Sequence, residues 1–202
     1  LVNDGSKDNS IQIVRDNYKK ELEREKIRIY ERPQNGGVCM AMRDIVKQAK
    51  GVYLAFLDAD DTMMDTRIEK QYNAIKEAEK EHQNQMIASF CGSLVNDITN
   101  NKGYTIDPND LFRVTSGCFF GGGTGHSMYK TQDILDLGNF DTKFSRSADA
   151  AFCIMFLLNN GYYAMVNEPL IKYNFIWNEK KAKIAEEDGK NFKNIIYPIV
   201  EK

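Results

Sequence analysis

Histidine and paired cysteines, the residues that most often build zinc sites, are scarce in this chain of 202 residues. His82 and His126 are its only histidines, which excludes a histidine-rich zinc site and disfavours a serine–histidine–aspartate triad. The cysteines form no C-x-x-C pair; they are Cys39, Cys91, Cys118 and Cys153. We therefore expect buried thiols in a reducing compartment rather than disulfides or metal ligands.

Neither one sign of charge nor a long apolar run dominates the sequence. With 27 basic and 29 acidic residues, the formal net charge is -2, which gives no electrostatic reason to bind nucleic acid. Apolar runs such as Phe152–Leu158 fall far short of the roughly 20 residues of a membrane-spanning helix. The hydrophobic fraction of 42% is sufficient for a packed core. The length favours one domain with a short appendage.

Helices and strands are predicted to alternate along the first half of the chain. Helical spacing of Ile11, Val14 and Leu22 predicts a helix over 9–26 with one apolar stripe. The elements expected after it are the strand Ile27–Tyr30, the helix Cys39–Lys50, the strand Val52–Leu57, a helix around Ile68–Ile75 and the strand Met86–Phe90. This alternation predicts a mainly parallel, mixed α/β sheet flanked by helices. Val52–Leu57, an almost continuous apolar run, is expected to be buried on both faces.

The second half of the chain is less regular. It contains an apolar helix predicted over Ala148–Asn160 and two short strands predicted over Tyr162–Val166 and Leu170–Phe175. Residues 176–202 are charged and then apolar, and we expect them to form a helical tail outside the main domain.

The strongest chemical signal is the acidic cluster Asp58-Ala59-Asp60-Asp61, which directly follows the apolar strand. Because residues two apart in an extended chain point the same way, Asp58 and Asp60 can converge at the carboxyl end of that strand. Carboxylates placed there suit Mg²⁺ or Mn²⁺, and without a cation such neighbours repel one another. We therefore favour a metal site for Asp58 and Asp60. Asp61 is expected to cap a helix that begins near Met63.

Several short motifs occur in a fixed order around this cluster. They are Asn3-Asp4-Gly5-Ser6, Asn35-Gly36-Gly37, Ala49-Lys50-Gly51, Phe56-Leu57-Asp58-Ala59-Asp60-Asp61, Gly138-Asn139-Phe140-Asp141, Ala148-Asp149, Asn160-Gly161-Tyr162 and Glu168-Pro169-Leu170. In this order and spacing the chain resembles the family 2 glycosyltransferases, which have the nucleotide-sugar-binding GT-A fold. The resemblance covers residues 1–175 and implies a GT-A domain there.

The resemblance also implies roles for the site residues. The donor would be a UDP-sugar, with Asp4 contacting the uracil and Asp58 and Asp60 at the ribose–diphosphate end. Asp60 would be the principal ligand of Mn²⁺ or Mg²⁺, with Asp58 beside it. Asp149 would be the general base for an inverting transfer, although by its position alone it could equally cap the apolar helix. The remaining donor-site residues implied are Gly5, Ser6 and Asn35.

The expected acceptor is a hydroxyl of a glycan or of a lipid-linked molecule. The expected location is the cytoplasm, where peripheral association with the inner face of the membrane and homodimer formation are open alternatives. No nucleic-acid partner is expected. The family's opening strand and first helix have no counterpart before Asn3, so we expect that Leu1 is not a natural terminus. The absent strand would lie in the middle of the sheet and line the nucleotide site.

Two other functions stay open at this level. Arg43 and Ala148 stand where the family usually has Asn and Glu, which would suit a transferase-like domain that binds a nucleotide sugar without turnover. The segment Leu57–Thr62 also fits the signature of haloacid-dehalogenase-type phosphatases, in which the first Asp is the nucleophile. That family needs a later acidic pair at the end of a strand, and the sequence shows no convincing one.

Overall fold

The computed structural model describes residues 1–97, 102–106, 124–144 and 147–175, together with separate positions between 179 and 194. The predicted tail over 176–202 lies largely outside the described residues, as does Cys118. A short 3₁₀ helix, Thr124–His126, precedes β7. The other elements in chain order are β1 Val2–Asn3, α1 Ser10–Asn17, α2 Lys19–Glu23, β2 Tyr30–Glu31, α3 Gly37–Gln48, β3 Tyr53–Ala55, β4 Thr62–Met63, α4 Arg67–Glu81, β5 Met86–Asp97, β6 Lys102–Ile106, β7 Ser127–Lys130, α5 Thr131–Asp136, α6 Ala148–Leu158 and β8 Gly161–Phe175.

The described strands form two sheets. β1 and β2 pair in parallel, while the others form a six-stranded sheet in the order β3-β7-β5-β8-β4, with β6 paired to β5. Its longest ladder, between β5 and β8, is parallel, and the remaining pairings of this sheet are antiparallel. The predicted mixed α/β sheet with flanking helices is therefore confirmed.

Apolar residues pack on both faces of the larger sheet, and one of these clusters includes the residue that follows β3. On one face, Phe56 joins a core built with Phe90 of β5, Tyr129 of β7 and Phe156 of α6. Neighbouring residues on these strands point to the opposite face, where Ile87 and Met128 pack against α4. Phe56, which precedes Leu57 and the acidic cluster, is thus buried in the core.

Three elements differ from their predictions. The helix predicted over 9–26 is divided into α1 and α2, because Tyr18 has a φ of -122° and a ψ of 35°. β3 is a half-buried edge strand rather than a strand buried on both faces, and Val52 beside it is 72% exposed. The two strands predicted near the end of the domain are one strand, β8. Register shifts opposite Gly92 let β8 continue past Pro169 without losing its pairing.

Two expectations about composition are also tested by the structure. Cys39, Cys91 and Cys153 are buried thiols outside any disulfide, as expected. Among the described residues, no helix has the length and apolar character to span a membrane.

A groove of about 680 Å³ separates the two sheets at the open edge of β3. Apolar side chains from both sheets and from the helices line it, including Val2, Val14, Ile45 and Leu54. On the other face of β3, a depression of about 480 Å³ is lined by Tyr53, Ile68, Tyr72 and neighbouring residues. Both faces of this strand edge therefore border apolar space.

Candidate active site

The acidic cluster forms a tight turn directly after β3. The backbone N–H of Asp61 donates to the carbonyl oxygen of Asp58 at 3.1 Å, which closes the turn. One carboxylate oxygen from each of Asp58, Asp60 and Asp61 lies within 4.8 Å of the others. Divalent cations such as Mg²⁺ and Mn²⁺ prefer hard oxygen ligands, so this arrangement suits one such ion.

The electrostatics of the turn indicate an excess of negative charge. Desolvation, and then repulsion from Asp60, raise the pKa of Asp58. Desolvation and the charges of Asp58 and Asp60 raise the pKa of Asp61 to about 6, although the hydrogen bond from the Asn174 amide acts in the opposite direction. Because Asp58 is exposed to solvent, the repulsion between carboxylates is the firmer cause at that residue. A bound cation would relieve this repulsion.

We expect Mn²⁺ to raise the melting temperature more at about pH 7.5 than at about pH 5. The folded-state pKa of Asp61 is about 6, above the ordinary value, so the folded chain holds more protons than the unfolded chain between about pH 4 and 6. The metal-free protein therefore loses stability as the pH rises through this window. Metal binding needs the deprotonated carboxylates and strengthens over the same window. Thermal unfolding with and without MnCl₂ checks this; equal shifts at the two pH values would contradict it.

Asn174 on β8 fastens the acidic turn to the sheet. Its backbone N–H donates to Asp61 Oδ1 at 2.9 Å, and its side-chain amide donates to the carbonyl oxygen of Asp60 at 2.5 Å. Asn96 on β5 donates to Asn174 Oδ1 at 3.2 Å, which orients that amide. The prediction that Asp61 caps a helix is wrong, because α4 begins at Arg67 and the Asp61 carboxylate instead holds β8.

A second cluster surrounds Asp4. Its Oδ1 accepts hydrogen bonds from Arg32 Nη1 at 2.8 Å and from the backbone N–H of Gly36 at 2.9 Å. Its Oδ2 accepts from the backbone N–H of Gly37 at 2.8 Å, and Gly37, with a φ of +83°, begins α3. A carboxylate offers about four acceptor positions, and hydrogen bonds from the described residues occupy three of those on Asp4.

The other predicted donor-site residues at this end of the chain lie around Asp4. The Asn35 side chain donates to the carbonyl oxygen of Asp4 at 2.8 Å. Gly5 has a φ of +77°, and a Cβ there would lie 3.1 Å from the backbone nitrogen of Asn35. The backbone N–H of Ser6 donates to Asn3 Oδ1 at 2.9 Å. The Asp4 turn and the Asn35 loop are thus one connected unit, and glycine is required where they meet.

Asp149 lies half-buried in the first turn of α6. Ser147 occupies the N-cap position, so Asp149 is not the cap residue, and its Oδ1 accepts from the Ala150 N–H at 2.8 Å. The flanking residues Ala148 and Ala150 belong to the same core cluster as Phe56. The start of α6 and the end of β3 are therefore anchored in one core, and a carboxylate at a helix start is favoured by the helix dipole.

Arg43 has a structural partner in this part of the molecule. Its Nη1 donates to the carbonyl oxygen of Phe140, and the Asn139 side chain donates to the Arg43 carbonyl oxygen at 3.2 Å. The fully buried Phe140 in turn contacts Phe56 edge to face, with ring centroids 5.6 Å apart. Arg43 thus holds the Gly138–Asp141 turn in the position that supports Phe56.

This architecture is that of the GT-A glycosyltransferases. The structure superposes on TarS 1-349 of S. aureus in complex with UDP-GlcNAc with a TM-score of 0.61 and 18% identity, over 90% of this chain and 50% of that one. The complex of TarS 1-349 with UDP gives a TM-score of 0.60 and 17% identity, over 86% of this chain and 50% of that one.

Within that class, the chain belongs to Glycosyl transferase family 2, whose family model matches residues 1–127. An uncharacterized glycosyltransferase of Haemophilus influenzae is 34% identical over 73 residues, which are 36% of this chain and 28% of that protein. The uncharacterized glycosyltransferase EpsJ of Bacillus subtilis is 33% identical over 92 residues, which are 46% of this chain and 24% of that protein. The matches span about a quarter of these relatives. Family membership removes the support for a phosphatase.

Proposed function

We propose that this chain belongs to an inverting glycosyltransferase that moves a sugar from a UDP-sugar to a hydroxyl of a glycan or lipid-linked acceptor. The observation that carries the proposal is the convergence of the Asp58, Asp60 and Asp61 carboxylates within 4.8 Å, at the end of a strand. The complexes of TarS with UDP and with UDP-GlcNAc support a nucleotide-sugar donor for the shared fold.

The donor is held at both of its ends in this proposal. The remaining acceptor position of Asp4 takes a nucleobase N–H, with Gly5, Ser6 and Asn35 beside it. Asp60 and Asp58 would hold Mn²⁺ or Mg²⁺ at the diphosphate end of the donor. The ion, when bound, neutralises the charge that develops on the departing diphosphate.

Asp149 completes the proposed reaction as general base. It takes the proton from the acceptor hydroxyl, whose oxygen then forms the new bond to the anomeric carbon. The bond between that carbon and the diphosphate oxygen breaks, and UDP leaves with the electron pair. A single displacement of this kind inverts the anomeric configuration.

Calorimetric titration of the 202-residue chain with UDP tests the donor proposal. We expect saturable binding that Mn²⁺ strengthens, with UMP binding more weakly because it lacks the second phosphate. ADP and CDP, which carry the same diphosphate on other bases, serve as controls. Binding of all three diphosphates with equal affinity, or no dependence on Mn²⁺, would count against a metal-dependent UDP-sugar site.

We also infer that a further apolar strand lies between the two sheets in the complete enzyme. The carbonyl oxygen of Val52 accepts from the N–H of Thr131, the residue that follows β7, at 2.9 Å. Because backbone groups of successive residues alternate in direction along a strand, those of Tyr53 and Ala55 point away from β7. An edge of this kind is a template for pairing. Successive side chains of an added strand would point to opposite faces. Those on one face would enter the groove next to Leu54, and those on the other would enter the depression next to Tyr53.

A synthetic peptide of six residues with Val and Ile on both faces is expected to bind this edge. Saturating peptide should raise the melting temperature by roughly 5 to 10 °C. Amide hydrogen exchange at Tyr53 and Ala55 should slow, because these groups become paired. The same peptide with a central proline is the control, since proline cannot donate to the ladder. Unchanged exchange at both amides would contradict the added strand.

A further inference from the structure

A buried guanidinium lies directly behind the acidic turn. Arg67, the first residue of α4, is 0% exposed, and no carboxylate within the described part of the chain forms an ion pair with it. Its Nη1 donates to the carbonyl oxygen of Phe56 at 2.9 Å, two residues before Asp58. Its Nη2 donates to the carbonyl oxygen of Gly125 at 2.6 Å, at the approach to β7. The side chain therefore joins the ends of two neighbouring strands.

Gln71, one turn further along α4, extends this network. Its Oε1 accepts from Arg67 Nε at 2.8 Å, which leaves the amide group to donate elsewhere. That amide donates to the carbonyl oxygen of His126 at 2.8 Å and approaches the carbonyl oxygen of Ser89 at 3.4 Å. Arg67 and Gln71 together hold the backbones of β3, β5 and the segment leading into β7.

An apolar side chain would fill this position at lower electrostatic cost. Burial of a cation without a counter-charge is expensive, and desolvation accordingly lowers the pKa of Arg67. The same helix uses Ile75 and Ala78 to pack on the sheet without any polar group. What the guanidinium adds is a planar fork that fixes several carbonyl groups in one geometry. One of these carbonyl groups, that of Phe56, belongs to the backbone from which the acidic turn departs.

We propose that Arg67 is a positioning residue for metal and donor binding. It sets the direction in which residues 57–61 leave β3 relative to Gly125, so that the carboxylates of Asp58, Asp60 and Asp61 converge. Gln71, which accepts a hydrogen bond from Arg67 Nε, fixes the orientation of the guanidinium plane. This inference rests on the proposed UDP-sugar function, because it assigns Arg67 a part in building that site.

The test compares Arg67→Met and Arg67→Lys with a control on the same helix. Met keeps the length and removes the donors, whereas Lys keeps the charge and loses the fork. Loss of a residue that orients ligands typically lowers metal affinity by about 10- to 100-fold, and we expect both variants to bind Mn²⁺·UDP that much more weakly. UDP affinity without Mn²⁺ should stay unchanged.

Ile75→Ala is the matched control, since Ile75 is equally buried on α4 but belongs to an apolar cluster with Ile87 and Met128. It should lower the melting temperature and leave the Mn²⁺·UDP affinity at the wild-type value. Should Arg67→Met fail to fold, Arg67→Lys decides the question. Wild-type affinity in a folded Arg67 variant, or an equal loss in Ile75→Ala, would overturn the positioning role. Absence of Mn²⁺·UDP binding in the wild type would instead refute the proposed function itself.

Discussion

Asp60→Asn is expected to lower the Mn²⁺-dependent affinity for UDP by about a hundredfold or more, since even residues that only orient metal ligands contribute 10- to 100-fold. The substitution removes one negative charge and hardly changes the size of the side chain. The Asp60 backbone remains in place, because its carbonyl oxygen accepts from the Asn174 side chain at 2.5 Å. The loss of affinity would therefore report on the carboxylate and not on the shape of the turn.

The same variant should make the metal-free protein more stable. The charge of Asp60 is among the causes that raise the pKa values of Asp58 and Asp61, so its removal relieves repulsion within the turn. We expect the melting temperature without metal to rise, while the increase that Mn²⁺ produces in the wild type disappears. An Asp60 with a purely structural role would show the opposite sign, a lower melting temperature with unchanged metal response.

Asp65→Asn is the matched control for Asp60→Asn. Asp65 is an exposed aspartate in the same segment, five residues further along, and it is not part of the cluster of converging carboxylates. Both substitutions change the net charge by the same amount. Equal Mn²⁺·UDP affinities in the two variants would refute the assignment of Asp60 as a metal ligand.

The acidic turn could be predicted from the sequence because its information is local. Asp58 and Asp60 directly follow an apolar run, which places carboxylates at the end of a strand. Their convergence comes from the turn that the Asp61 N–H closes on the Asp58 carbonyl oxygen, and not from the alternation of an extended chain. The residues that hold the turn could not be found in this way. Asn174 is 113 positions from its partner Asp61, and Arg67 reaches Gly125 across 58 positions. No periodic pattern connects positions so far apart.

The errors in the predicted elements have a related cause. An apolar run such as Val52–Leu57 predicts a strand, but it does not tell which neighbours cover that strand. Among the described strands, β3 pairs with β7 alone. Asp61 fits a helix cap by its spacing, yet the chain first makes the short strand β4, and α4 starts later, at Arg67. In both cases contacts between segments far apart in the sequence, which the local pattern does not show, determine the outcome.

The structure bears on whether the departures from the family pattern impair the site. Arg43 replaces an asparagine, but it holds the Phe140 carbonyl oxygen and, through Phe140, supports Phe56 below the acidic turn. That substitution therefore has a structural function of its own. Ala148 is buried in the core at the start of α6. Turnover of the wild type, compared with that of Asp149→Asn, decides whether the site is active despite these changes.

Asp149→Asn is expected to lower the hydrolysis of the UDP-sugar that the wild type turns over fastest in a panel, with water as the acceptor, by about 10²- to 10⁴-fold, the usual contribution of a general base. Asparagine retains a side-chain oxygen that can accept from the Ala150 N–H, so the first turn of α6 should remain intact. The variant loses the negative charge and with it the ability to take a proton. We therefore expect Mn²⁺·UDP affinity to stay at the wild-type value while kcat falls, measured as release of UDP.

Asp133→Asn provides the control, because Asp133 also lies in the first turn of a helix, α5, and outside the proposed site. It should leave both kcat and Mn²⁺·UDP affinity unchanged. Equal turnover in Asp149→Asn and the wild type would refute the general-base role. A wild-type chain that binds Mn²⁺·UDP and releases no UDP from any UDP-sugar of the panel would favour the binding domain without turnover, because the donor site would then work while proton removal did not. These two outcomes are separable, since the first requires measurable turnover and the second excludes it.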